Sequence, residues 1–267
     1  MEKERWFLLG DIHGKPEVIR NFYEKNKEHL QLDTGNNHII LLGDVGANYA
    51  LQGQQDTRFK KALSKYPFTY VCLRGNHEAR VQKVMEMHPE KWEAKKKYGG
   101  EIYVEKKFPR IEYLSDGPAV YEFDGYKTFS LPGAYSVDKW YRLNHGWAWF
   151  EDEQLSEEEM NTGRKIKEVE PEIDLVISHT CPISYEPRDL FLPYISQETV
   201  DKRMEQYLGE IEEGLPYKRW VFGHFHADRL YPRKDGRQML MLFNRSVVDL
   251  QKFMHMTEKD GLQDILA

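Results

Sequence analysis

The stretch Trp6–Gly14, WFLLGDIHG, joins a short apolar run directly to a glycine-flanked aspartate and histidine. Four apolar residues are too few for a helix and suit a strand buried on both faces. The amphipathic stretch Pro16–Leu30 follows with helix-like spacing, and Pro16 stands where a first helical turn accepts proline. The unit then recurs. Ile39–Leu42 leads into Gly43-Asp44 and a second helix-like stretch, Gln54–Lys65, and Tyr70–Leu73 leads into Arg74-Gly75-Asn76-His77-Glu78. Strands alternating with helices predict an α/β protein with a largely parallel sheet.

Two further apolar runs lie downstream. Leu175–Ile177 ends in Ser178-His179-Thr180, and Trp220–Phe222 ends in Gly223-His224-Phe225-His226. Residues 111–131 pattern as short antiparallel strands, with Asp124-Gly125 as a hairpin turn, and Asp235-Gly236 marks a second hairpin. The acidic run 151–170 reads as a solvated helix with no functional burden. With no repeat and no linker-like stretch, the expectation is a single domain over 1–267 with two sheets and insertions near 84–118, 132–170 and 181–217.

All five buried runs end in residues that bind metals. The carboxyl ends of strands in open α/β sheets are where ligands sit, because their loops converge on one crevice. Asp11 and His13 are two residues apart, so an extended backbone points both to one side, and His224 and His226 repeat that spacing. Neighbouring glycines let the chain turn and bring side chains close. Carboxylate, imidazole and amide donors suit Mn, Fe, Zn or Ni, and the lack of thiolates argues against a structural zinc site. A lone Gly-Asp is ordinarily a turn or cap, and a lone His179 a core histidine. The ordered set, each member following a buried strand, is what points to a metal centre.

The 267 residues allow one large α/β domain or at most two small ones. With 38 Lys+Arg against 44 Asp+Glu the net charge is −6, which gives no global attraction to nucleic acid or anionic membranes. No apolar stretch nears the roughly 18–20 residues of a spanning helix, and the first residues lack the layout of a signal peptide. Cys72 and Cys181 stand in unrelated contexts and read as structural thiols in a reducing compartment, so the expected location is cytoplasmic.

Taken in order, D-x-H, G-D, G-N-H-[ED], H and G-H-x-H from 11 to 226, the motifs resemble the calcineurin-like metallophosphoesterase superfamily, and LRGNHE (73–78) resembles its Ser/Thr protein phosphatase branch. The resemblance implies two packed mixed β-sheets flanked by helices, a four-layer sandwich. It implies one metal ion on Asp11, His13 and His226, a second on Asn76, His179 and His224, and Asp44 bridging them, with Mn²⁺ ahead of Fe, Zn or Ni. Two such ions, roughly 3.5–4 Å apart, share a water that ionises near neutral pH and attacks phosphorus in line. His77 would protonate the leaving oxygen or stabilise charge on phosphate. Glu78 or another carboxylate would tune it.

One departure matters. The branch carries GDxxDRG, whose arginine grips phosphate, whereas this chain reads Gly43-Asp44-Val45-Gly46-Ala47-Asn48-Tyr49. Asn48 is a candidate substrate contact, and Arg142 and Arg80 are the candidate phosphate clamps. The aromatic insert 133–150 either forms a satellite core or walls the pocket, and the proline-containing stretch 182–193 forms an irregular loop beside it. The leading expectation is a phosphomonoesterase acting on a phosphoprotein or phosphorylated metabolite. A phosphodiesterase of nucleotides or nucleic-acid ends is the alternative, and a non-catalytic metal-binding scaffold the third.

Overall fold

The computed structural model describes residues 4–51, 53–170, 172–232 and 235–267. The predicted alternation appears at once: β1 (Arg5–Leu9), α1 (Glu17–Asn26), β2 (Asn37–Leu41), α2 (Gln54–Leu63) and β3 (Phe68–Cys72). β1 pairs parallel with β2, and β2 with β3. Then come α3 (Val81–Met87), β4 (Trp92–Lys97), β5 (Gly100–Glu105), β6 (Ile111–Tyr113), β7 (Ala119–Phe123) and β8 (Tyr126–Leu131). The remainder is α4 (Lys139–Asn144), α5 (Glu157–Val169), β9 (Ile173–Ser178), α6 (Arg203–Gly214), β10 (Tyr217–Phe222), β11 (Arg229–Pro232), β12 (Gln238–Met241), β13 (Val248–Asp249) and α7 (Leu250–His255).

The strands form two mixed sheets, ordered β13-β1-β2-β3-β6-β5-β4 and β11-β12-β10-β9-β8-β7. Strand alternation sorts their side chains into three layers of core. Trp6 and Leu8 of β1 meet Leu175 and Ile177 of β9 and Val221 of β10 between the sheets. Phe7 and Leu9 face the other way, onto Ile19 and Phe22 of α1 and Phe59 and Leu63 of α2. On the far side Val176, Trp220 and Phe222 pack on Met204, Tyr207, Leu208 and Ile211 of α6. The result is helix, sheet, sheet, helix, the α/β four-layer arrangement expected. Fully burying one such aliphatic or aromatic side chain stabilises the fold by about 1.5–3 kcal/mol.

Some readings of the middle of the chain are corrected. Residues 111–131 do not form one antiparallel unit: β6 joins the first sheet between β3 and β5, and only β7 and β8 form the hairpin, with Asp124 (φ 53°) and Gly125 (φ 80°) in its turn. Gly117-Pro118 interrupts the run and lets the chain cross from one sheet to the other. The hairpin β4–β5 escaped the sequence reading because WEAKKK carries the lysines of an edge strand rather than an apolar run. β11 and β12 are antiparallel on either side of Asp235-Gly236, as expected of a hairpin, and Arg233 and Lys234 lie outside the described residues. No helix among the described residues is long and apolar enough to cross a membrane.

Candidate metal centre

The loops after β1, β2, β3, β9 and β10 converge at one end of the two facing sheets. His13 Nε2 lies 2.8 Å from His226 Nε2, and the two nitrogens are 3.8 Å and 3.5 Å from Asp11 Oδ2. On the other side His179 Nε2 is 2.9 Å from Asn76 Oδ1 and 3.5 Å from Asp44 Oδ1. The His224 ring lies 5.1 Å from that of His179, centroid to centroid. Asp44 stands between the groups: its Oδ1 faces His179, while its Oδ2 is 4.0 Å from His13 Nε2 and 3.9 Å from His77 Nε2. All seven residues named for metals, and His77, therefore meet in one place.

Backbone geometry creates this convergence. His13, Asp44, His224 and His226 all have positive φ, between 44° and 70°, where non-glycine residues are uncommon. Four such residues in one cluster mark a site held in shape by its surroundings. The pinning contacts are visible: His13 N donates to Asp44 O, His77 N to Asp44 Oδ1 and His224 N to Asp11 Oδ1. Glycine is required by close approach at two places. A Cβ on Gly43 would lie 2.2 Å from His179 Nδ1, and one on Gly223 2.2 Å from Asp11 Oδ1.

The electrostatics call for cations. Asp11 and Asp44 are fully enclosed. Burial pushes Asp44 up, but His179, His77 and His13 around it hold it well below the usual carboxylate range. Burial also works against a charged His179, yet Asp44 and then Asp11 outweigh it and bring the imidazole up to about 9. His224 is driven the other way, down to about 3, by burial and then by His179. Its ring nitrogen thus keeps a free lone pair. His179 Nδ1 donates to Leu42 O at 2.7 Å, which turns Nε2 inward, where a bound metal ion would displace its proton. Two imidazole nitrogens 2.8 Å apart beside a carboxylate, and a second set sharing Asp44, are a donor set that fits metal ions of the Mn, Fe, Zn or Ni type.

Several supporting residues were not found from the sequence. Asn76 Nδ2 donates to Ser136 Oγ (2.8 Å), which donates to Glu153 Oε2 (2.5 Å); this orients the amide so that its Oδ1 faces His179. Glu153 thereby corrects the reading of 151–170 as a purely solvated run, as does Glu159, which pairs with Arg80. The carboxylates beside His77 Nε2 are Asp138, at 3.8 Å, and Asp44, at 3.9 Å. Glu78 instead accepts from the backbone N–H groups of Gly46, Ala47 and Gly75 and braces the Asp44 loop. Motif spacing gives no signal for Ser136, Asp138 or Glu153, because they act from another part of the chain.

The expected phosphate clamps are placed elsewhere. Arg80 spends its guanidinium on Asp152, Gln154 and Glu159, tying α3 to the start of α5. Arg142 is fully buried, donating to Ser136 Oγ at 3.0 Å behind Asn76. Asn48 is also buried and accepts from Lys60 Nζ, so it braces the core rather than facing substrate. Two cavities open on the centre and share Asp44 and His77. One, of about 590 Å³, is lined by His13, Tyr49, Gln55 and the exposed Arg58. The other, of about 500 Å³, runs along Tyr135, Leu190, Phe191 and Phe225. The insert 133–150 is not a satellite core: Trp140, Tyr141 and Trp147 are each more than half exposed, and Tyr135 lines the second cavity.

Comparison with known proteins agrees with this architecture. The calcineurin-like phosphoesterase pattern matches residues 5–228. The crystal structure of TT1561 of Thermus thermophilus is similar at a TM-score of 0.52 and 12% identity, covering 93% of this chain and 96% of that one. A dimetal phosphatase of Danio rerio matches at a TM-score of 0.48 and 12% identity over 92% of both chains. Phosphopantetheinyl hydrolase of Mycobacterium tuberculosis matches at 0.43 and 14% identity over 91% of both. The likeness to TT1561 is one of fold. No curated protein matches the chain.

Proposed function

Because this chain belongs to the calcineurin-like phosphoesterase family and is a metal-dependent phosphoester hydrolase, we propose that it works with two metal ions and acts as a phosphomonoesterase. Asp11, His13 and His226 would hold one ion, Asn76, His179 and His224 the other, and Asp44 both. The observation that supports the two-ion part of this reading is the disposition of Asp44, whose two carboxylate oxygens face different groups of donors. Bound there, the ions supply Lewis acidity and a nucleophile at neutral pH.

The chain's own residues supply the rest. The main-chain contacts to Asp11 and Asp44 hold the donors without rearrangement. His77, partly exposed at the junction of both cavities, would give a proton to the leaving oxygen, with the Asp138 carboxylate 3.8 Å from its Nε2. Arg58 on α2 takes the place of the missing motif arginine as the cation facing the phosphate, because it lines the same cavity as His13 and His77. A phosphodiesterase is the second reading, favoured by the presence of a cavity on each side of His77 that two ester arms would fill. The Mn²⁺-loaded protein should hydrolyse p-nitrophenyl phosphate with higher kcat/KM than bis-p-nitrophenyl phosphate, and Arg58→Ala should raise KM for the monoester more than it lowers kcat. Turnover of the diester alone would replace the first reading with the second.

A further inference from the structure

The cavity beside Phe191 says which alcohol such an enzyme accepts. Its floor includes Asp44, Asn76, His77 and His224, so it is continuous with the metal centre. Its wall comes largely from residues 186–200, where Pro187 and Pro193 keep the chain in short 3₁₀ turns instead of a packed helix. Leu190, Phe191, Leu192 and Ile195 of that segment join Val137 and Phe225 around the space. Leu190 and Leu192 remain 41% and 44% exposed, which a satellite core would not leave open. Phe225 connects wall to centre: its ring stacks at 6.4 Å on Phe191 and lies 4.9 Å from that of His224.

Charge narrows the occupant further. Besides its histidines, the cation lining this cavity is Lys202, and its Nζ is held by Glu186 Oε1 (2.5 Å) and Gln197 Oε1 (3.0 Å). Asp138 and Glu205 add acidic groups to the same lining. Among the described residues, a leaving group bearing further phosphates would find no free cation there and several carboxylates. The cavity, of about 500 Å³, has polar groups at the metal end and around Lys202 and an apolar wall between them, and lies within the roughly 300–1,000 Å³ range of small-molecule sites.

We propose that the natural substrate is a phosphate ester of an uncharged, apolar alcohol, aliphatic or aromatic, whose carbon skeleton lies between Phe191, Leu190 and Phe225. The inference rests on the proposed function, since it places the phosphoryl group at Asp44 and His77. Alkylphosphonates are the probe, because they keep the anionic head and vary only the chain. With Mn²⁺-loaded protein and p-nitrophenyl phosphate as reporter, inhibition constants should fall about threefold to fourfold per methylene from methyl- to hexylphosphonate. Calorimetric titration of the same series should give Kd values with the same slope, and a heat-capacity change growing more negative with chain length. Phe191→Ser, with Leu192→Ser as a second variant in case the first misfolds, should flatten the slope. Equal Kd values for methyl- and hexylphosphonate in the native protein would overturn the proposal. If p-nitrophenyl phosphate is not hydrolysed at all, the proposed function fails, and the calorimetric slope still decides the character of the cavity.

Discussion

The metal centre and the wall of the Phe191 cavity adjoin each other and are built by opposite means. The centre takes its residues from five strand ends whose backbones are fixed by sheet pairing, with Gly43 and Gly223 tight against His179 and Asp11. Four of its donors, His13, Asp44, His224 and His226, sit on left-handed backbone, and Asp11, Asp44, Asn76 and His179 are buried. The wall takes its residues from irregular turns between β9 and α6, leaves leucines exposed, and is tied down by side-chain pairs, Lys202 with Glu186 and Gln197 and Arg229 with Asp189. The difference is one of construction: the centre is a frame of strand ends that a few motifs specify, while the cavity wall is an irregular segment without any motif.

The sharpest break in that comparison is expected at Asp44. Asp44→Asn should lower kcat/KM on the order of a thousandfold, comparable to losing a leading electrostatic contact, and should lower bound metal as measured by elemental analysis. Retained activity would mean that the carboxylate is not shared between the two donor groups. His77→Gln should cost about 10²- to 10⁴-fold in kcat while metal content stays at the native level, as expected for loss of an acid–base group. A parallel loss of metal would place His77 in the frame instead of at the reacting ester.

Smaller effects separate frame from wall. Ser136→Ala removes the hydroxyl between Asn76 and Glu153, so metal affinity should weaken about 10- to 100-fold, with little change in the melting temperature of the metal-free protein. Chelator competition measures the first quantity and calorimetry the second. In the wall, burial pushes the Glu205 carboxyl up to about 7, against only a partial offset from Thr180. A folded pKa above the unfolded value makes stability greatest below about pH 4.5 and diminishes it as pH rises through 7. Glu205→Gln should therefore remove about 2–3 kcal/mol of that decline between pH 4.5 and 7, read as a flatter melting temperature against pH. An unchanged slope would show that Glu205 is ionised in the folded protein.

How much was legible follows the same division. Trp6–Leu9, Ile39–Leu42, Tyr70–Leu73, Leu175–Ile177 and Trp220–Phe222 announce strands because burial on both faces demands continuous apolar residues. Asp11, His13, Asp44, Asn76, His77, His179, His224 and His226 are readable because each stands at a fixed offset from such a run. Ser136, Asp138 and Glu153 reach the centre across tertiary space, so no local spacing reveals them. Arg80 and Arg142 were singled out for their charge, and the structure gives both to internal pairing. Arg58 lies on an ordinary amphipathic helix, where only the folded chain shows that it lines the same cavity as His13 and His77.

The central claim, two metal ions sharing Asp44, is tested most directly by elemental analysis of the protein after dialysis against Mn²⁺, alongside the Asp44→Asn variant. The account predicts two ions per chain in the native protein and fewer than two in the variant. One ion per chain in the native protein, or two in both, would contradict it.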